Sequence, residues 1–178
     1  LYLKADSLIL DIGCGRGSLI NDLKNVGFKN VLGIDPFLDK DITYKNGARV
    51  LKRFPHQLNQ KFDFVISHNS FEHESNPIKL IKSISKLLKK NGYLILTVPL
   101  AEDLYREYGS NCCLIQAPQH YFLPSINGLT SIISRTEMSI ESIFRIPNYL
   151  LSDNISSALL EKNIQPNKIK QGNIYKLS

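Results

Sequence analysis

The chain has 178 residues, 43% of them hydrophobic and 21% charged, enough for one buried core and against wholesale disorder. No apolar run reaches the roughly 18–20 residues that span a bilayer, and three cysteines, two adjacent at Cys112 and Cys113, give neither a disulfide framework nor a four-cysteine zinc site. The net charge of +6 permits acidic partners, but the densest lysine group, Lys79 to Lys90, alternates with apolar residues at helical spacing and reads as the solvated face of one helix.

Ser7–Asp11 is an apolar run ending in an acid and then glycines, the pattern of a buried strand. Ser18–Asn25 places Leu19, Ile20 and Leu23 on one helical face, with Gly27 as a stop. Val31–Asp35 is a second strand, residues 36–47 a polar loop, and Ala48–Leu51 a short third strand. Phe62–Ser67 is a strong fourth strand. Asn76 caps a helix with Pro77 at its first position, predicted to run to about Lys90 and to stop at Asn91-Gly92. Tyr93–Val98 is a fifth strand of β-branched and aromatic residues. Leu100–Pro124 shows no sustained period and reads as a long functional loop. Ser125 caps a helix to about Arg135, Ser139–Arg145 alternates like a strand, Asp153–Lys162 is a helix, and Asn173–Leu177 is a final strand. Strands and helices in repeated succession imply a parallel sheet with helices on its faces. No repeat or linker divides the chain, so residues 1–178 are read as a single domain with 100–124 as its substrate-side loop.

The first strand–helix turn reads Asp11-Ile12-Gly13-Cys14-Gly15-Arg16-Gly17-Ser18. Alternate glycines let the backbone turn tightly and approach a ligand with no Cβ in the way. The helix that follows aims free N–H groups and a positive dipole end at the same place. Phosphate, carboxylate and ribose all suit such a turn. Ser18 stands where a dinucleotide fingerprint has its third glycine, and the Lys-Ser/Thr ending of a P-loop is missing. Asp35 ends the second strand, 22 residues after Gly13, where a carboxylate can chelate a ribose diol.

These residues resemble the class I S-adenosylmethionine-dependent methyltransferases. Asp11 to Gly17 is similar to the first motif of that family, and Asp35 to its second-strand acid. Phe62-Asp63-Phe64-Val65-Ile66-Ser67-His68-Asn69-Ser70-Phe71-Glu72-His73 resembles its fourth strand and the Glu-His turn of the small-molecule branch, which contains the ubiquinone-biosynthesis O-methyltransferases. Leu87 to Pro99 resembles the helix, turn and fifth strand that follow. The resemblance implies a Rossmann-like, doubly wound α/β fold with a mostly parallel seven-stranded sheet and an antiparallel last strand. It implies S-adenosyl-L-methionine as cofactor. Asp11, Gly13, Cys14, Gly15 and Gly17 would shape the pocket for its methionine part, and Asp35 would hold the ribose hydroxyls. Pro36, Phe37 and Phe54 would lie near the adenine, and His68 near the sulfonium. Family members carry one or two helices upstream, and this chain reaches its first strand within a few residues, so those lid helices are expected to be missing.

A sulfonium already activates its methyl group, so the protein must align a nucleophile and accept its proton. His73, on the turn after the fourth strand, and His120, in Pro118-Gln119-His120-Tyr121-Phe122, are the candidate bases. The resemblance also implies a place for a divalent metal, since Asn69, Glu72 and His73 match the spacing of a metal set in some ubiquinone-pathway methyltransferases; that set begins with Glu and Asn69 is a weaker neutral ligand, so no metal is assigned and Glu72 is read as capping or orienting its loop. The chain lacks the Asp/Asn-Pro-Pro-aromatic turn and the Pro-Cys pair of enzymes that methylate bases, which disfavours nucleic acid. The expected function is methylation of a small-molecule acceptor at oxygen, in the cytoplasm, with oligomeric state left open. The alternatives are a non-catalytic cofactor-binding module of the same fold and an RNA or protein methyltransferase.

Overall fold

The computed structural model describes residues 3–108, 118–144 and 175–177. One sheet of eight strands carries the chain: β1 (Leu8–Ile12), β2 (Asn30–Ile34), β3 (Ile42–Thr43), β4 (Arg49–Leu51), β5 (Phe62–His68), β6 (Leu88–Thr97), β7 (Ile140–Ile143) and β8 (Tyr175–Leu177). Their order is β3-β4-β2-β1-β5-β6-β8-β7. β4, β2, β1, β5 and β6 are mutually parallel, and β8 runs antiparallel between β6 and β7. The seven expected strands are therefore joined by an eighth. It is the two-residue β3, which folds back antiparallel on β4 from within the predicted loop 36–47.

Among the described residues, four α-helices accompany the sheet: α1 (Ser18–Asn25), α2 (Pro77–Leu87), α3 (Ala101–Tyr108) and α4 (Ile126–Ile133). Ile20 and Leu23 of α1 cover Ile9, Val31, Phe64 and Ile66 on one face. Leu80, Ile81, Ile84 and Leu87 of α2, with Leu129 and Ile133 of α4, cover Leu10, Val65, Leu94 and Leu96 on the other. That is the period-2 alternation of strands meeting the 3.6 period of helices. Asn76 caps α2 by accepting from the Lys79 amide at 3.0 Å, and Ser125 caps α4 by accepting from Gly128 at 3.0 Å.

Two sequence expectations change here. α2 ends at Leu87, and Asn91-Gly92 does not stop it but lies inside β6. The register against β5 slips between Phe62 and Phe64, Asn91 takes φ 62°, and a Cβ on Gly92 would stand 3.0 Å from the carbonyl oxygens of Lys89 and Phe62. The pair is thus a bulge device within a strand. In the predicted loop 100–124, residues Ala101–Tyr108 form a helix, whose first turn holds Glu102 and Asp103. The predicted helix Asp153–Lys162 lies outside the described residues.

Candidate functional site

The turn between β1 and α1 is held from two sides. The Gly13 and Cys14 amides donate to the Ile34 carbonyl at 2.9 and 3.3 Å, and the Gly15 amide donates to Asp35 Oδ2 at 2.9 Å. Asp35 Oδ1 accepts from the Phe37 amide at 2.9 Å. The glycines differ in what they do. Gly13 has φ 69°, and a Cβ there would stand 2.4 Å from the Ser70 Cβ. Ser70 cannot yield easily, because its Oγ donates to the Ile12 carbonyl at 2.9 Å and lies 2.8 Å from the Ser67 Oγ. Gly15, at φ 54°, has nothing within 4 Å of such a Cβ and faces open space. A Cβ on Gly17 would strike Val50 at 2.3 Å.

The open space is a cavity of about 640 Å³. Gly13, Gly15, Asp35 and Pro36 line one side, with Phe37 and Phe54 also on its wall. Phe37 is 87% and Phe54 46% exposed, and Phe54 stacks on His56 with ring centroids 5.5 Å apart. Asn69, Ser70, His73, Gln119 and Tyr121 line another part of the wall. Of the residues expected near a cofactor, Gly13, Gly15, Asp35, Pro36, Phe37 and Phe54 are thus brought together. Asp11, Cys14, Gly17 and His68 are not among the residues that line the cavity. Asp11 is 4% exposed, and its carboxyl is pushed up to about 8, first by burial and then by the charge of Asp35. Burial, with the same two carboxylates nearby, drives the Cys14 thiol far above its usual range. That suits a small packing group, whose Sγ would be 2.7 Å from a Cβ on Gly33.

The two histidines meet. His73 lines the cavity, and its Nδ1 donates to the Gln119 carbonyl at 3.0 Å. His120 does not line it; its side chain is 7% exposed, and its ring centroid is 4.8 Å from that of His73. Segment 118–122 is laid on the turn after β5 by the Tyr121 amide, which donates to the Glu72 carbonyl at 2.9 Å, and by the edge-to-face pair Phe71–Phe122. Sequence reasoning missed Ser70, the support of the glycine turn, and the depth of Glu72, which is 2% exposed. Asn69, weighed from the sequence only as a weak metal ligand, is a wall residue at φ 45°, for which asparagine's tolerance of the left-handed region was the available signal.

A family model described as a methyltransferase domain matches residues 1–142. A tRNA U34 carboxymethyltransferase of Campylobacter fetus subsp. fetus is 25% identical over 158 residues, covering 80% of this chain and 55% of the relative. One of Actinobacillus pleuropneumoniae serotype 3 is 30% identical over 147 residues, covering 73% and 44%. The chain thus spans about half the length of these curated relatives. Among solved structures, the magnesium protoporphyrin IX methyltransferase of Synechocystis PCC 6803 with bound SAH superposes with a TM-score of 0.63 at 18% identity, over 97% of this chain and 74% of that one. A SAM-dependent methyltransferase from Archaeoglobus fulgidus gives 0.59 at 19%, over 99% and 86%. The likeness to both is one of fold.

Proposed function

The chain belongs to the methyltransferase-domain family, and from that membership we propose that it is a cytoplasmic enzyme transferring a methyl group from S-adenosylmethionine to a small-molecule acceptor, at oxygen. The observation that carries this reading is the convergence of the glycine turn and Asp35 on one cavity. Each oxygen of Asp35 receives one backbone N–H, which leaves each with a further acceptor position for a ribose hydroxyl. The bare backbone at Gly15 suits close approach of a ligand, and the exposed rings of Phe37 and Phe54 suit the flat face of a base.

Bound in that cavity, the sulfonium supplies a methyl group that needs no further activation. The protein's share is alignment, worth on the order of 7–11 kcal/mol, and removal of the acceptor's proton, worth roughly 10²–10⁴-fold. His73 suits the second task. Its Nδ1 carries the hydrogen given to the Gln119 carbonyl, so Nε2 is the basic nitrogen of the neutral ring. His120 stands one layer behind.

An RNA acceptor is the second reading. It is supported by α2, which holds no acidic residue and exposes Lys79, Lys82 and Lys86 along a face beside the cavity residue Leu80, and by the names of the curated relatives. Calorimetry with S-adenosylmethionine, its demethylated product and a nicotinamide dinucleotide tests the cofactor; binding of the nicotinamide alone would overturn the proposal. Label transfer from methyl-labelled cofactor to hydroxylated small molecules, and separately to total tRNA, tests the acceptor. Labelling of tRNA alone would replace the first reading by the second. Cofactor binding with no transfer at all would point to a non-catalytic module.

A further inference from the structure

Glu72 is a carboxylic acid in the apolar layer between the turn after β5 and segment 118–122, at 2% exposure. Its Oε1 lies 4.0 Å from His120 Nε2, and its Oε2 is buried without a hydrogen-bond partner. A carboxyl in such a place is costly unless something compensates it. The compensating groups are the two imidazoles: atoms of Glu72, His73 and His120 that can exchange or share protons all lie within 4.8 Å of one another. We infer that Glu72 is a positioning residue that makes His73 and His120 one proton-accepting unit at the cavity wall. The inference rests on the proposed transfer to oxygen.

The division of labour follows from the hydrogen bonds. His73 alone of the three lines the cavity, and the Gln119 carbonyl fixes its tautomer. When the acceptor oxygen forms its new bond to the methyl carbon, its O–H bond breaks. The electron pair stays on oxygen, the proton passes to His73 Nε2, and the pair of the broken sulfur–methyl bond stays on sulfur. A positive charge thereby moves from the methyl donor to the imidazole. Glu72, buried beside that imidazole, is the carboxyl whose ionised form offsets it, while His73 is exposed and can return the proton to water. Burial holds the Glu72 carboxyl above the usual carboxylate range, its own backbone amide and the charge of His73 offsetting only part of that, so a charged imidazole is what draws it toward the ionised form. The titratable groups around the unit are His120 on the facing segment and Glu74 on the same turn. Glu74 is engaged elsewhere, accepting from Ser75 and from the Asn76 amide.

The test is a proton NMR titration of the histidine rings, in buffer with a chelator and without acceptor, on wild type, Glu72→Gln and His73→Gln. In Glu72→Gln the His73 and His120 ring titrations are both expected to shift to lower pH, because a carboxyl that can ionise beside them is replaced by a neutral amide. His56, stacked on Phe54, serves as the internal reference and stays fixed. In His73→Gln, which alters an exposed residue and leaves the fold testable should Glu72→Gln fail to fold, His120 is expected to bind its proton more tightly. Unchanged His73 and His120 titrations in Glu72→Gln would overturn the inference, and so would an unchanged His120 in His73→Gln. A protein that shows these shifts but binds no S-adenosylmethionine would keep the unit and lose the proposed function, so the two failures are distinguishable.

Discussion

Asp35 does two things with one carboxylate. It closes the glycine turn by accepting from Gly15, and it starts the following loop by accepting from Phe37. Both bonds use backbone donors that any residue would provide, so the demand for an acid at this position comes from its oxygens. Asp35→Ala removes two charge-assisted acceptors, each worth about 1.5–3 kcal/mol in a neutral-to-charged hydrogen bond before hydration is offset. The expected outcome is a roughly 10- to 500-fold weaker affinity for S-adenosylmethionine by calorimetry, with a circular dichroism spectrum unchanged. Asp35→Asn keeps one acceptor oxygen and should fall between wild type and alanine. Equal affinities in all three would remove Asp35 from the binding site.

At the scale of elements, the glycine turn separates support from ligand approach, and two substitutions should part them. Gly13→Ala sets a methyl group against Ser70, which is pinned by Ile12 and Ser67, in a backbone conformation that L side chains rarely adopt. A loss of about 1–3 kcal/mol in unfolding free energy is expected by urea denaturation. Gly15→Val meets no protein atom and should cost only its backbone strain, yet its side chain enters the cavity and should abolish cofactor binding in calorimetry. A Gly15→Val protein that binds as wild type would mean that the turn does not approach the ligand. The turn, its flanking strands and Asp35 were legible because they are local: period, glycine spacing and an acid 22 residues on belong to the chain itself. The bulge at Asn91-Gly92 was not, because the pair signals a helix stop equally well and only the carbonyls of Phe62 and Lys89 decide between the two. Nor was α3 read, although Ala101, Leu104, Tyr105 and Tyr108 stand at i, i+3, i+4 and i+7: eight residues opening a stretch of 25 with no sustained period make a signal too short to stand out. The meeting of Glu72 with His120 joins residues 48 positions apart and depends on how segment 118–122 lies on the turn after β5.

For the molecule as a whole, Asp11 links the binding site to the stability of the sheet. It sits in β1, with β2 and β5 on either side, and its carboxyl is held at about 8 against an ordinary 3.8. An acid whose folded value is raised favours the native state most where both states keep the proton, below pH 3.8. As pH rises above that, the unfolded chain ionises and the folded one does not, so this contribution to stability falls steadily until about pH 8 and is flat beyond. Asp11→Asn removes the titration while keeping the shape. The difference in unfolding free energy between Asp11→Asn and wild type, from urea denaturation, should therefore grow in favour of the variant from pH 4 to pH 8, by a few kcal/mol in all, and then stop growing. A cationic ligand in the cavity works against the same term, because its charge favours ionised Asp11. Saturation with S-adenosylmethionine should stabilise wild type more at pH 8 than at pH 5.5, with proton release seen as a buffer-dependent binding enthalpy. A free-energy difference that does not vary with pH would place the Asp11 proton elsewhere and uncouple the ligand from the central strand.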